Sequence, residues 1–412
     1  MPRWHLVALM VNGIVGAGIF GLPSQVHALA GPWGLAAFVL CGGVVAAFAL
    51  TFAEVASRFA LTGGPYLYTR AAFGPLPGFL VGWLMWVTRV SAIAAIAAVM
   101  TSYLAFFWPP AAAGAGRVAA TCVALAALTA LNLVGVGRAA RVAVAFTLAK
   151  LAPLALFVGL GLGALSRGAF AAPPPPAAAP FAQAVLLLVF AFGGFEAVVI
   201  AAGEMRDPRR DMPFALLVAI ASTTLLYVLV QVVCIGTLPG LAGSSKPLAD
   251  AASRFMGAPG AAVIAFGAVA STAGTVFGSL LVGPRVLFAL AEQGQLPPVF
   301  LRTHARFRTP HVAILVTAAA ALALAVTGTF TYLLTLNVLA RLSSYLATAC
   351  ALPVLRRRGG DRPAAFTVPG GAGVAAFAIV ACLALASRSG ARELRDVGIA
   401  LAAGLALHAA DR

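Results

Sequence analysis

The chain predicts an all-α polytopic membrane protein of about 12 transmembrane helices, and three observations carry that expectation. Of 412 residues, 62% are hydrophobic and only 9% charged, with a mean hydropathy of +1.01, which excludes a water-soluble globular enzyme. The apolar residues gather into runs of roughly bilayer length, about 20 residues each. None of these runs alternates apolar with polar as a barrel strand does, so their backbone groups are satisfied within helices.

Taken in order, the runs lie near residues 5–30, 33–57, 78–108, 116–135, 139–166 and 181–204, then 213–238, 260–290, 310–328, 330–353, 371–388 and 394–409. The first opens almost at Met1 and carries glycines and a proline at its centre, unlike the compact leucine core of a cleaved leader, and is expected to stay in the mature protein. The last is the weakest, because Arg392, Glu393, Arg395 and Asp396 crowd its start. Connectors are short. Pro173 to Pro176 stiffen an external link, and residues 246–256, with Lys246, Asp250 and Arg254, suit a short external helix before the eighth run. No soluble catalytic or ligand-binding domain fits between them.

The formal charge of +16 comes from 27 Lys and Arg against 11 Asp and Glu. Scattered between apolar runs, these bases point to anionic lipid headgroups and not to nucleic acid. Alternate connectors hold 16 bases on one side and 7 on the other, which places both termini in the cytoplasm by the positive-inside rule. Cys41, Cys122, Cys234, Cys350 and Cys382 all fall in apolar stretches without metal-site or redox spacing, and are expected to pack. No metal or cofactor is implied. The five histidines sit near run ends, suited to the interface.

Two runs carry small residues where a membrane helix should be continuous. The first reads Asn12-Gly13-Ile14-Val15-Gly16-Ala17-Gly18-Ile19-Phe20-Gly21-Leu22-Pro23, and the sixth Phe190-Ala191-Phe192-Gly193-Gly194-Phe195-Glu196. Glycine frees the backbone to unwind, and in lipid unwound amides and carbonyls are tolerated only against protein or a cavity. Glycine also lets helices approach closely, so either run alone signals packing as readily as binding. Their matched depth in the two halves of the chain decides for binding, since paired interruptions mark a midplane site between inverted repeats.

Those segments resemble the amino acid-polyamine-organocation permeases. The resemblance extends through Gly16-Ala17-Gly18-Ile19-Phe20, Phe52-Ala53-Glu54, Thr62-Gly63-Gly64-Pro65-Tyr66, Gly193-Gly194-Phe195-Glu196 and Gly203-Glu204-Met205-Arg206-Asp207-Pro208, and on to Pro284-Arg285 and Gly294-Gln295-Leu296-Pro297. It implies a leucine-transporter-type fold of two five-helix inverted repeats, residues 1–166 and 167–353, with broken helices 1 and 6 and two accessory C-terminal helices in 354–412. It also implies a substrate carboxylate on the amides of Ala17 and Gly18, with Gly16 and Gly194 belonging to the same substrate-binding segments. An amino group would meet carbonyls of Ile14, Phe190 and Gly193, and the Phe190 ring would form a gate.

Charges inside the runs are costly and therefore informative. Lys150 lies about ten residues into the fifth run. The resemblance gives it the place of a structural sodium ion among carbonyls, where it would couple transport to protons; snorkelling to an interface is the alternative. Glu196 follows the sixth-run break and is either a proton carrier facing the site or a packing acid. Glu54 and Arg58 are spaced i,i+4, which suits an ion pair or an inner-gate contact. Arg89 and Arg341 lack an acidic neighbour in sequence; pairing with Glu54 or Glu196 across helices is favoured over contact with an acidic substrate. Trp83 and Trp86 suit packing or the interface, and Ser271, Thr272 and Thr275 either face the first run or glue helices.

These residues imply a secondary transporter of amino acids, neutral ones preferred, moved by alternating access and coupled to protons. An amino acid or polyamine exchanger and a non-transporting amino acid sensor are the alternatives. No Gly-x-x-x-x-Gly-Lys-Ser/Thr is present to power a primary pump, and the spans lack a catalytic constellation, so an enzyme is not expected. The oligomeric state is not legible.

Overall fold

The computed structural model describes residues 3–59, 63–135, 139–170, 174–196, 208–358 and 363–410. Each of the twelve apolar runs falls on helix. The first is divided into α1 (Arg3–Ile14) and α2 (Gly18–Ala30), and the second is α3 (Gly34–Ala56). A short helix that the hydropathy pattern passes over, α4 (Gly64–Phe73), fills the next connector. It starts on Gly64-Pro65, proline being tolerated where no helical amide bond is due, and stops at Gly74, whose φ of 97° ends the turn.

The remaining helices are α5 (Pro75–Leu104), α6 (Gly114–Val134), α7 (Ala139–Gly161), α8 (Ala178–Ala191), α9 (Pro208–Thr237), α10 (Pro247–Glu292), α11 (His311–Thr327), α12 (Phe330–Arg358), α13 (Gly371–Ala386) and α14 (Ala391–Ala410). The external helix expected over 246–256 forms the opening of α10. At Gly257 the backbone leaves helical space, with φ 68° and ψ −168°, and the helix turns into the bilayer segment. Of the sixth run, only the part up to Glu196 lies within the described residues. Glu204, Arg206 and Asp207 lie outside them, as do Thr62 and Arg138.

By length and apolarity alone, six helical stretches among the described residues can cross a bilayer. A span divided by a break has parts too short to cross alone. At 1.5 Å per residue, the 12-residue α1 and 13-residue α2 reach about 18 and 20 Å, each roughly two thirds of a hydrocarbon core near 30 Å. Together they cross it. The last pair, α13 and α14, turns through 113°.

The centre of the bundle is α5, packed on α10 and α12, while α2 lies on α8, α1 on α9, and α3 against both α8 and α9. Trp83 and Trp86 serve that packing: their indole N–H groups donate to Ala400 O at 2.7 Å and to Thr317 Oγ1 at 3.0 Å. All five cysteines are free thiols. His408 departs from the interfacial position expected for it. It is buried, stacked on Phe79 at 4.5 Å, with Nδ1 3.3 Å from Gln295 O, because α14 folds back onto α5.

Candidate functional site

The interruption of the first span covers three residues. The last amide bond of α1 runs from Val15 N to Val11 O at 2.8 Å, and α2 restarts at Gly18 with no side chain capping it. Its first-turn amides are therefore the uncapped positive end of a helix dipole, while the carbonyls around Val15 form the negative end of α1. The sixth span breaks after Ala191. There Gly193 N donates back to Phe190 O at 3.2 Å, and Gly194 adopts φ 125°, which only glycine holds without strain.

The two breaks pack on each other at glycine. A Cβ on Gly194 would stand 2.3 Å from Gly13 O, and one on Gly18 would stand 2.7 Å from Ala191 Cα. Close approach and interrupted backbone thus occur at the same residues, so the two uses of glycine in these runs coincide. Gly16 differs: the nearest atom to a Cβ there is Thr275 Oγ1 of α10, at an ordinary 3.5 Å. Thr275 spends its hydroxyl hydrogen on Ser271 O at 2.8 Å.

Lys150 is buried on α7 and reaches into the first break, with Nζ donating to Asn12 O and Val15 O at 2.6 Å each. An ammonium against the carbonyl end of a helix is electrostatically well placed. From α9, the Tyr227 hydroxyl lies 3.1 Å from Ile14 O and 2.9 Å from Ala191 O, the carbonyls at which α1 and α8 stop. A phenol has one hydrogen and can donate to only one of them at a time. Ile14, Gly18, Gly194 and Lys150 thus converge on one crossing. Phe190, buried in the last turn of α8, joins through the bond its carbonyl accepts from Gly193.

Glu196 forms the far side of the sixth break. Its Oε2 accepts the Gly194 amide at 2.6 Å, and its Oε1 accepts Arg341 Nη1 of α12 at 2.9 Å together with a short bond from the Tyr345 hydroxyl. Phe52, Phe195 and Tyr345 enclose the group with ring centroids 5.2 to 5.7 Å apart. The Arg341 guanidinium lies against Gly193 so closely that any side chain there would collide with it. A cavity of about 40 Å³ opens beside these residues, with Arg89 of α5 in its wall.

Glu54 sits at the end of α3 in a second cluster. Arg58 bonds it at 3.0 Å across one helical turn, and Arg356 bonds it twice, at 2.7 and 2.6 Å, while Val368 N donates at 2.7 Å. The i,i+4 spacing announced the first contact only. Tyr227, Tyr345 and Arg356 were not anticipated as partners. A signal for the tyrosines existed, since a phenol isolated in an apolar run must find an acceptor.

Comparison with known proteins agrees with this architecture. The family model described as amino acid permease matches residues 3–389. The chain is 28% identical over 374 residues to a serine/threonine exchanger of Bacillus subtilis, covering 88% of this chain and 84% of the relative. It is 28% identical to the methylthioribose transporter of the same organism, over 90% of this chain and 84% of the relative. To the human large neutral amino acids transporter small subunit 2 it is 31% identical, over 86% of this chain and 69% of the relative. With the family model matched along nearly its whole length and an all-helical bundle of apolar spans around two broken helices, the chain belongs to the amino acid permease family of multi-pass membrane transporters.

Proposed function

We propose that the protein is a secondary transporter that moves amino acids by alternating access, binding them at the crossing of the two broken helices and coupling the cycle to protons through Lys150. The observation that carries this reading is the ammonium of Lys150 held at 2.6 Å by two carbonyls of the first break. A cation there fixes the geometry of the break, so loss of its proton would remove the charge that Asn12 O and Val15 O face, weaken both bonds and loosen the turn that presents the Ala17 and Gly18 amides. A substrate carboxylate would take those uncapped amides. Its ammonium would take carbonyl lone pairs at Ile14, Phe190 and Gly193; Phe190 O already accepts Gly193 N, and Ile14 O shares the single Tyr227 hydrogen with Ala191 O.

Glu196 holds the sixth break open by binding its Gly194 amide, a positioning part. Because Glu196 is committed to Arg341, Tyr345 and that amide, the crossing offers a cationic side chain no spare carboxylate. This favours amino acids without a positive side chain, neutral ones included, over polyamines. The excess of bases on one set of connectors supports cytoplasmic termini, and the corresponding depth of the breaks supports repeats at 1–166 and 167–353 followed by accessory helices. Exchange is the second reading, favoured by the serine/threonine exchanger among the relatives.

The test uses purified protein in liposomes with an imposed pH gradient and labelled amino acids. Wild type is expected to accumulate substrate with the gradient, and Lys150→Ala to lose gradient-driven uptake while retaining counterflow. Unchanged uptake by Lys150→Ala would remove the coupling role, and counterflow that never becomes net uptake, even in wild type, would establish the exchanger.

A further inference from the structure

The cavity beside the sixth-span break carries more positive charge than the chain neutralises there. Its wall includes Thr88, Arg89, Glu196, Arg341, Ser344 and Tyr345. Both oxygens of Glu196 are occupied, by Arg341 and Tyr345 on one and by the Gly194 amide on the other. Arg89 stands in the field of that same carboxylate, yet among the described residues it forms no hydrogen bond or ion pair. Arg89 lies near the middle of the 30-residue α5, far from either helix end. Two further groups are buried without a partner among the described residues, Arg341 Nε and Ser344 Oγ.

Two guanidiniums against one carboxylate leave one positive charge, on the half-buried Arg89 near the middle of α5, at a depth where an uncompensated ion is costly. Arg89, Arg341 and Ser344, which carry these three donors, all line the space, and the charge of Glu196 is already met by Arg341. The partner that satisfies both the charge and the donors is an acceptor-only anion. A volume of about 40 Å³ has room for a few water-sized groups, which suits a carboxylate or a halide and excludes anything much larger.

We propose that this cavity is an anion subsite that takes one carboxylate-sized monoanion, held by Arg89 and Arg341 Nε with the Ser344 hydroxyl. The anion has two chemical sources. It is the side-chain carboxylate of an acidic amino acid bound through its α-groups at the helix crossing, or a free inorganic anion such as chloride that accompanies a neutral substrate. The first source rests on the transport reading given above, and the second does not.

The test begins with the melting temperature of the purified full-length protein in a bulky sulfonate buffer, titrated separately with chloride, L-glutamate and L-glutamine. A ligand that binds the folded state raises Tm. Chloride or L-glutamate is expected to give a saturable rise whose apparent affinity Arg89→Gln weakens about 30-fold or more, whereas any rise with L-glutamine in the absence of chloride, which reports the helix crossing alone, is expected to be the same in wild type and Arg89→Gln. Arg89→Lys keeps the charge and guards against a variant that merely misfolds; it should retain a measurable rise. In liposomes, counterflow of labelled L-glutamate that needs no chloride and is lost in Arg89→Gln would identify the substrate as the source. Neutral amino acid counterflow that requires chloride would identify the free anion. An anion-dependent rise in Tm without any amino acid counterflow would support the subsite while removing the transport reading. Melting temperatures indifferent to both anions, or equally responsive in wild type and Arg89→Gln, would overturn the subsite.

Discussion

Two clusters in this molecule are built from the same inventory, one glutamate and two arginines, and they come to different ends. At the end of α3, Glu54 satisfies both of its arginines, Arg58 at 3.0 Å and Arg356 through two bonds, and takes the Val368 amide as well. Its surplus positive charge has a way out, because the Arg356 side chain is 32% exposed. Near the middle of the bundle, Glu196 satisfies only Arg341, and the second guanidinium, Arg89, faces a cavity. A closed set of bonds near water ties α3 to α12 and to the segment before α13. An open set in the interior leaves a charge that a solute can meet. The number of charged residues does not separate structure from function here; their bond count and depth do.

The largest expected effect falls on the interior cluster. Glu196→Gln leaves the buried Arg341 and the half-buried Arg89 without a carboxylate, and breaking one side of a buried ion pair costs about 3–5 kcal/mol. A marked fall in Tm together with loss of counterflow is expected. The paired variant Glu196→Gln with Arg341→Met sharpens the contrast, since replacing a buried pair by apolar groups is often neutral for stability. Recovery of Tm without recovery of transport would show that this cluster is kept for function, whereas recovery of both would reduce it to packing.

Glu54→Gln should cost less, about 1–3 kcal/mol, the loss of hydrogen bonds to a charged group where water can reach one partner. Counterflow per folded molecule should stay close to wild type if the cluster only ties elements together. If transport falls while Tm holds, the contacts of Arg356 and Val368 with Glu54 act as an inner gate, and the contrast between the clusters narrows.

How far the sequence could carry the fold and the site follows from what each signal encodes. Hydropathy read the spans well because each must bury about the same length of apolar backbone. It could not register α4, whose polar and aromatic residues lie outside any apolar run, or the bend at Gly257, which is a backbone angle and not a composition. The breaks were legible since Gly16, Gly18, Gly193 and Gly194 have few reasons to cluster at mid-span. Partners across helices were not: Arg341 and Glu196 are separated by 145 positions in the chain, and only folding decides whether Glu54 or Glu196 receives a given arginine. Beside the sixth break the charge left unbonded among the described residues belongs to a base, Arg89, which its own sequence neighbours do not announce.

The smallest effect should come from Tyr227→Phe, and it bears on the same distinction between closed and open bonding. The Tyr227 hydroxyl stands between Ile14 O and Ala191 O and can satisfy only one with its single hydrogen. Removing it deletes one net hydrogen bond, worth about 1 kcal/mol, without altering ring packing against Phe38 and Phe192. If the hydroxyl merely ties the two helix ends, Tm should drop by a few degrees and the substrate concentration for half-maximal counterflow should not change. If instead it shares those carbonyls with a bound ammonium, their extra lone pairs become available in the variant, and that half-maximal concentration should shift while Tm barely moves. Saturation curves for wild type and Tyr227→Phe, normalised to folded protein, separate the two outcomes, because a tie between helices acts on the stability of the fold and competition for a carbonyl acts only on the ligand.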